Sequence, residues 1–272
     1  MASVRTTVLD FGAALGKGSI ELSIAPVQTR RMDPVARLLK LESLIAQSAA
    51  MGRAWTERRA ELVLDEKSAG QLASTADLEI EHYLRDALAD RFPGTAAIGE
   101  EMGGTLTEDE AGWAIDPIDG TSNFVLGLPL WGISVGYRSG GASVLGAIAL
   151  PALGLTVSAA DGSGLRVNGA PAAPERGSPV KLISIGENDF EPGPDTDARA
   201  QAFRDKGFAV VRYRCAVYSL AMSAMGRLGG YVEYGCGLWD IAAAEVICRE
   251  AGMRVATKQI APDRYAIEAV WD

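Results

Sequence analysis

The chain predicts a layered α+β or mixed α/β architecture, on three observations. Helical-period segments come first. A middle stretch of short apolar runs is broken by Gly, Pro or Ser. The last third alternates strand-like and helix-like segments.

Taken in order, a long helix starts at Asp33 as N-cap with Pro34 in its first turn. Val35, Leu38, Leu39, Leu41, Leu44 and Ile45 form its apolar stripe. A second helix follows Thr75, with Ile80, Tyr83, Leu84, Ala87 and Leu88 at helical spacing until Pro93-Gly94 stops it after Phe92. Strands are expected at Ala96–Gly99, Trp113–Asp116, Trp131–Arg138, Val144–Leu150 and Leu155–Ala159. Beyond them, Lys181–Gly186, Phe208–Tyr213, Tyr231–Tyr234 and residues 265–271 read as strands, and Thr196–Lys206, Tyr218–Arg227 and Trp239–Glu250 as helices. Residues 1–31 stand apart as an N-terminal appendage, with period-two alternation at Ser19–Ile24. Its stretch Gly12–Gly18 superficially suggests a phosphate-binding loop. It is one residue short between the glycines and lacks Ser or Thr after Lys17. Residues 32–272 form the main domain, expected as two closely packed α/β halves, roughly 32–180 and 181–272.

Composition removes several function classes. With 48% hydrophobic residues, 22% charged residues and mean hydropathy +0.08, the 272-residue chain can bury a sizeable core. A net charge of −9 argues against a nucleic-acid partner, which needs clustered Lys and Arg. An anionic substrate stays open, because a local metal site can invert the field of one pocket. Three cysteines without a C-x-x-C pattern argue against a disulfide framework or structural zinc. No apolar run is long enough to span a bilayer, and Asp10 interrupts what would be a signal-peptide core. No membrane partner and a cytoplasmic location are expected. The lone histidine, His82, lies in a helix as a surface or boundary residue, and no G-x-S-x-G elbow accompanies it. A Ser-His-Asp relay would rest on that one residue.

Three acidic motifs stand at element ends: Gly99-Glu100-Glu101, the run Asp116-Pro117-Ile118-Asp119-Gly120-Thr121, and Leu238-Trp239-Asp240-Ile241. In the second, an apolar strand delivers Asp116 to its end, Pro117 keeps the chain extended, and Asp119-Gly120 turns it. Two carboxylates and the Ile118 carbonyl can then converge, the oxygen donors that hard cations such as Mg²⁺ take. The N–H groups of Gly120 and Thr121 open a helical turn that can cradle phosphate. Singly, each motif has a plainer meaning: an ordinary loop, a solvated Glu100-Glu101 pair, an N-cap at Asp240. Two carboxylates ~4 Å apart repel by roughly 4 kcal/mol at an effective dielectric near 20, so a cluster of four needs bound cations.

At these residues the sequence resembles the inositol monophosphatase family, within the lithium-sensitive, magnesium-dependent phosphatases. The three motifs, with Ser122-Asn123-Phe124 after the second, occur in the family's order over roughly residues 33 to 255. The resemblance implies an αβαβα sandwich, a homodimer, a small phosphorylated substrate and two or three Mg²⁺ per subunit. It implies that Glu100, Asp116 and the Ile118 carbonyl hold a first cation, and Asp116, Asp119 and Asp240 a second. Glu100 and Thr121 would position the attacking water, Asp77 would hydrogen-bond Thr121, Gly120 and Thr121 would face the phosphate, and Glu233 would meet a substrate hydroxyl. A two-metal clamp suits phosphate-monoester hydrolysis, where accelerations reach about 10²¹-fold.

Two departures bear on substrate. Val125-Leu126-Gly127 stands where the family often has His or Arg. Arg214-Cys215 is followed by Ala216-Val217-Tyr218-Ser219 where the family has Arg-Ser and then small residues. Either Tyr218 reshapes the substrate pocket, or a one-residue slip gives that role to Ser219 and puts Tyr218 in the core. The leading expectation is a monophosphatase for a polyol-like or sugar-like phosphate. Histidinol phosphate, fructose 1,6-bisphosphate and a 3′-nucleotide are rival substrates, the bisphosphate favouring Lys181, Arg212 or Arg214 as extra cationic contacts. A non-catalytic interaction protein would be favoured by loss of a metal carboxylate, and none is lost.

Overall fold

The computed structural model of the chain describes residues 33–68, 71–107, 110–176 and 180–272. The expected appendage and its strand at Ser19–Ile24 lie outside them. Among the described residues, α1 (Pro34–Glu57), the antiparallel pair β1 (Leu64–Ser68) and β2 (Gln71–Ser74), and α2 (Thr75–Arg91) come first. Next are β3 (Ala96–Gly99), β4 (Gly112–Asp119), α3 (Thr121–Leu126), β5 (Gly132–Ser139), β6 (Ala142–Leu150), β7 (Leu155–Ala160), β8 (Arg166–Val167) and β9 (Ala170–Pro171). The chain ends with β10 (Leu182–Ile185), α4 (Gly193–Asp205), β11 (Ala209–Val211), α5 (Ala216–Ala224), β12 (Gly230–Cys236), α6 (Leu238–Glu250), β13 (Arg254–Ala261) and β14 (Arg264–Val270).

Strands β3 to β9 form a seven-stranded sheet in sequence order, parallel only between β3 and β4. A five-stranded sheet runs β11-β10-β12-β14-β13, with β10 parallel to both its neighbours. Side-chain alternation shows what covers each face. Trp113, Ile115, Ala147 and Ala149 pack with Leu38, Leu41 and Leu44 of α1 and Ile80 and Leu84 of α2. Their neighbours Ala114, Ile148 and Leu150 point the other way, into a core shared with Val217 and Leu220 of α5, Ile241 and Ile247 of α6, and Tyr231 and Ile267 of the second sheet. Beyond that sheet, Ile183, Ile185, Val232 and Val270 pack with Ala200 of α4. The order is therefore α1/α2, sheet, α5/α6, sheet, α4, the αβαβα sandwich. Both faces of the central strands β4 to β7 are covered, so these strands are buried along most of their length. Each fully buried Leu, Ile or Val contributes roughly 1.5–3 kcal/mol.

Two glycines set how deeply α6 sits. A Cβ on Gly136 would lie 2.4 Å from the Ala243 nitrogen, and one on Gly146 would lie 2.5 Å from the Ala243 oxygen. Only hydrogen at these positions lets the α6 backbone reach the sheet.

Several expectations shift. The chain is strand past Asp116 as far as Asp119, with the β4–β5 register broken between those two residues. Pro117 sits in that irregularity, where a missing N–H costs the ladder nothing. Helix α5 starts at Ala216, earlier than Tyr218, because Cys215 rather than a polar signal caps it, and it ends at Ala224 rather than Arg227, ahead of the left-handed Gly226. Helix α4 starts at Gly193, before Thr196. Strand β13 was not anticipated: it is an outer strand of alternating half-exposed residues, without an apolar run.

Candidate active site

Four elements deliver the acidic residues to one region. Asp116 and Asp119 come from the end of β4, Glu100 from the turn after β3, Asp240 from the first turn of α6, and Asp77 from the first turn of α2.

Asp116 is 1% exposed, and neither carboxylate oxygen has a hydrogen-bond partner. Burial pushes its pKa well above the usual carboxylate value, and Glu100, Asp119, Asp240 and Asp77 push it further. An unpaired buried carboxylate is costly, so this group calls for a proton or a cation. Asp119 is raised to about 7, chiefly by burial, against the lowering effect of the Val217 N–H and the Cys215 thiol. Its Oδ2 accepts from Val217 N at 2.5 Å and from Cys215 Sγ at 3.3 Å. Asp240 is likewise raised by burial and by Asp119, Glu100 and Glu233. It is the third residue of α6 rather than its N-cap, and Oδ2 accepts from Gly237 N at 2.6 Å.

Asp77 is fully buried. Its Oδ2 accepts from the Ser74 N–H at 2.8 Å and from the Ser74 hydroxyl, and Oδ1 faces Thr121 Oγ1 at 3.3 Å. Thr121 Oγ1 also stands 2.9 Å from the Ile118 carbonyl. Gly120, at φ +82°, turns the chain from β4 into α3. A Cβ there would meet the Leu130 carbonyl at 2.9 Å and Cys215 Cβ at 3.1 Å, so the motif's glycine is required by conformation and by space.

A cavity opens beside this cluster. Asp119, Asp240, Cys215, Arg214, Ser219 and Glu233 are among its lining residues. Glu233 accepts from Asn188 Nδ2 at 2.8 Å and from the Tyr231 hydroxyl at 2.5 Å, and burial raises its pKa. Tyr218 is not among the lining residues. Its half-buried ring packs edge-on against Tyr213, centroids 5.1 Å apart, while Ser219 reaches the wall and pairs with Ser184 at 2.9 Å. The helix places Ser219, not Tyr218, on the cavity side. Of the three cations considered for a second phosphate, only Arg214 lines the cavity. Arg212 is paired with Glu187 and Asp197, and the Lys181 ammonium lies over the Phe208 ring.

Glu81 escaped sequence reasoning. It is fully buried one helical turn after Asp77 and accepts from the Glu101 and Met102 N–H groups and from Arg85. It thereby holds the Glu100 turn, and Gly99 leaves room for it: a Cβ there would collide with its carboxylate. The only available signal was the i, i+4 spacing that puts Asp77 and Glu81 on one helix face. His82 is on the outside of α2, 3.6 Å from Asp86. Among the described residues, no three His, Cys, Asp or Glu side chains are already gathered as a ligand cage. The donor set is nonetheless all oxygen, and the orphaned Asp116 carboxylate fits a hard cation.

The profile of the inositol monophosphatase family matches residues 37–265. The chain belongs to the inositol monophosphatase family. It is 36% identical over 258 residues to the inositol-1-monophosphatase SuhB of Mycobacterium tuberculosis, an alignment covering 84% of this chain and 86% of that protein. It is 29% identical over 203 residues to the histidinol-phosphatase of the same organism, covering 72% and 78%. The crystal structure of the extragenic suppressor protein SuhB of Bartonella henselae matches with a TM-score of 0.76 at 25% identity, covering 86% of this chain and 93% of that one. This family member is a phosphatase, a phosphoric monoester hydrolase. Its family is generally metal-dependent.

Proposed function

We propose that this family member is a Mg²⁺-dependent phosphatase that hydrolyses a small polyol-like or sugar-like phosphate monoester with water as nucleophile. The observation that carries it is the Asp116 carboxylate, buried, without a hydrogen-bond partner, and surrounded by Glu100, Asp119 and Asp240. Glu100, Asp116 and the Ile118 carbonyl would hold one cation, and Asp116, Asp119 and Asp240 another, with two or three per subunit. Bound there, Mg²⁺ would supply Lewis acidity toward phosphoryl oxygens and lower the pKa of water.

The chain's own residues do the rest. Thr121 donates its hydroxyl hydrogen bond to Asp77 or to the Ile118 carbonyl, which leaves an oxygen lone pair to accept from and orient a water. Asp77 is locked by Ser74, so Thr121 cannot rotate away without losing a partner. Glu100 is the second group that positions this water. The N–H groups of Gly120 and Thr121, at the start of α3, face the phosphate. Glu233, oriented by Asn188 and Tyr231, accepts a hydroxyl of the leaving group. Histidinol phosphate stays an alternative through the relative named above, because a carboxylate at the far wall also takes an ammonium. A bisphosphate is less favoured, since only one of the three candidate cations lines the cavity.

A homodimer is part of the proposal. Exposed Val63 and Leu64 lie at β1, and exposed Leu126 and Leu128 at the end of α3, which packs on β2 beside β1. Apolar side chains on neighbouring elements suit a subunit contact. A cytoplasmic location agrees with three buried, unpaired thiols. The deciding experiment is phosphate release from a panel of monoesters and bisphosphates across a Mg²⁺ titration. Inositol 1-phosphate or a sugar phosphate should lead the panel, and full activity in excess chelator would overturn the proposal.

A further inference from the structure

Asp119 is held from one side by the N-terminus of α5. Both donors, the Val217 N–H and the Cys215 thiol, go to Oδ2. Oδ1 takes neither, and Asp119 lines the cavity. Cys215 is also the N-cap of α5: its sulfur accepts from the Tyr218 N–H at 3.4 Å. The thiol hydrogen therefore lies on the Asp119 side, with the Oδ2 oxygen at 3.3 Å and the Asp119 carbonyl at 3.5 Å.

The surroundings allow Cys215 little other placement. Arg214, before it, adopts φ +52°, a left-handed conformation that residues other than glycine rarely take. Asn123 secures this turn by donating to the carbonyls of Leu130 at 2.7 Å and Tyr213 at 2.9 Å. Gly120 leaves space for the Cys215 Cβ. One side chain thus caps a helix and clamps a carboxylate on β4.

We infer that Cys215 is a positioning residue for Asp119, fixing Oδ2 against α5 so that Oδ1 is presented to a divalent cation. The inference rests on the proposed metal-dependent function. Outer partners of metal-ligating groups typically govern about 10–100-fold of metal affinity. A thiol is a weak donor, so a serine hydroxyl at the same place should serve at least as well.

The test is calorimetric titration of Mg²⁺ into metal-free wild type, Cys215→Ala and Cys215→Ser, alongside kcat at saturating Mg²⁺ and the melting temperature. Cys215→Ala should weaken Mg²⁺ binding about tenfold while kcat at saturation stays within about threefold. Cys215→Ser should bind as tightly as wild type or tighter. If Cys215→Ala lowers the melting temperature but leaves Mg²⁺ affinity unchanged, Cys215 only caps α5 and the inference fails, while the proposed function stands. If Cys215→Ala does not fold, Cys215→Ser decides: weakened binding in that variant overturns the inference. Wild-type protein that binds no Mg²⁺ would sink the proposed function and the inference together.

Discussion

Asp119 carries two of the testable consequences at residue scale. Its amide variant keeps the size and the Val217 contact but loses the charge. Asp119→Asn should therefore lower kcat by orders of magnitude with little change in melting temperature, checked by steady-state kinetics beside thermal melts. Unchanged kcat would remove Asp119 from the proposed machinery. The second consequence concerns pH. Burial pushes the Asp119 pKa from the ordinary carboxylate value of 3.8 up to about 7. A group raised on folding favours the folded state at pH below its unfolded value, and that contribution is lost as pH rises through the folded value. Asp116 and Asp240 are raised in the same direction by the same cause. Metal-free protein should therefore lose melting temperature between about pH 4 and about pH 8. Saturating Mg²⁺ should flatten the fall, because a cation favours the ionised carboxylates and binding to the folded state stabilises it. A metal-free melting temperature that climbs across this window contradicts the burial of these charges.

Substrate choice also belongs to single residues. Ser219 lines the cavity, and Tyr218 packs on Tyr213. Tyr218→Ser should leave the kcat/KM ratio of inositol 1-phosphate to a nucleoside monophosphate within about twofold, because loss of outlying apolar volume discriminates weakly. Ser219→Ala should move it more. The reverse result would put the Tyr218 ring in contact with substrate.

At the scale of elements, the site depends on where α6 lies. Asp240 is in its first turn, and the helix reaches the sheet through Gly136 and Gly146. Gly146→Ala places a methyl 2.5 Å from the Ala243 oxygen. Such overpacking costs about 1–3 kcal/mol. The helix must lift, and Asp240 with it. Melting temperature should fall, and Mg²⁺ affinity should fall in the folded fraction although Gly146 touches no ligand. A variant that melts lower but binds Mg²⁺ as wild type would show that α6 relaxes without moving its first turn. Element ends were less legible than element existence. The extension of β4 to Asp119 depends on pairing with Gly132 of β5, a partner distant in sequence. The early start of α5 depends on Cys215, a residue type that signals no cap in isolation.

For the whole molecule, the sandwich places the carboxylate cluster where α6, α5 and the end of β4 meet, between the two sheets. Sheet one comes from residues 96–171 and sheet two from 182–270, within a unit spanning Pro34–Asp272. A homodimer predicts about twice the 28.6 kDa chain mass by light scattering. Leu126→Glu with Leu128→Glu should shift it to monomer by placing charge in an apolar contact. A wild-type monomer at micromolar concentration would end that part of the proposal.

The run Asp116–Thr121 by itself determined that two carboxylates flank a backbone turn at the end of an apolar strand, because Pro117 and Gly120 restrict the backbone whatever surrounds them. Apolar periodicity determined the helices α1 and α2 and most of the buried strands, since period and burial are the same physical demand. Tertiary structure alone decided that Glu81 holds the Glu100 turn, that Cys215 meets Asp119, and that Ser219 rather than Tyr218 faces the cavity. Each of those contacts joins residues from separate elements or depends on the rotation of one helix against a sheet. Such geometry is set by how side chains and glycines let two surfaces approach, and no local pattern in one segment encodes it.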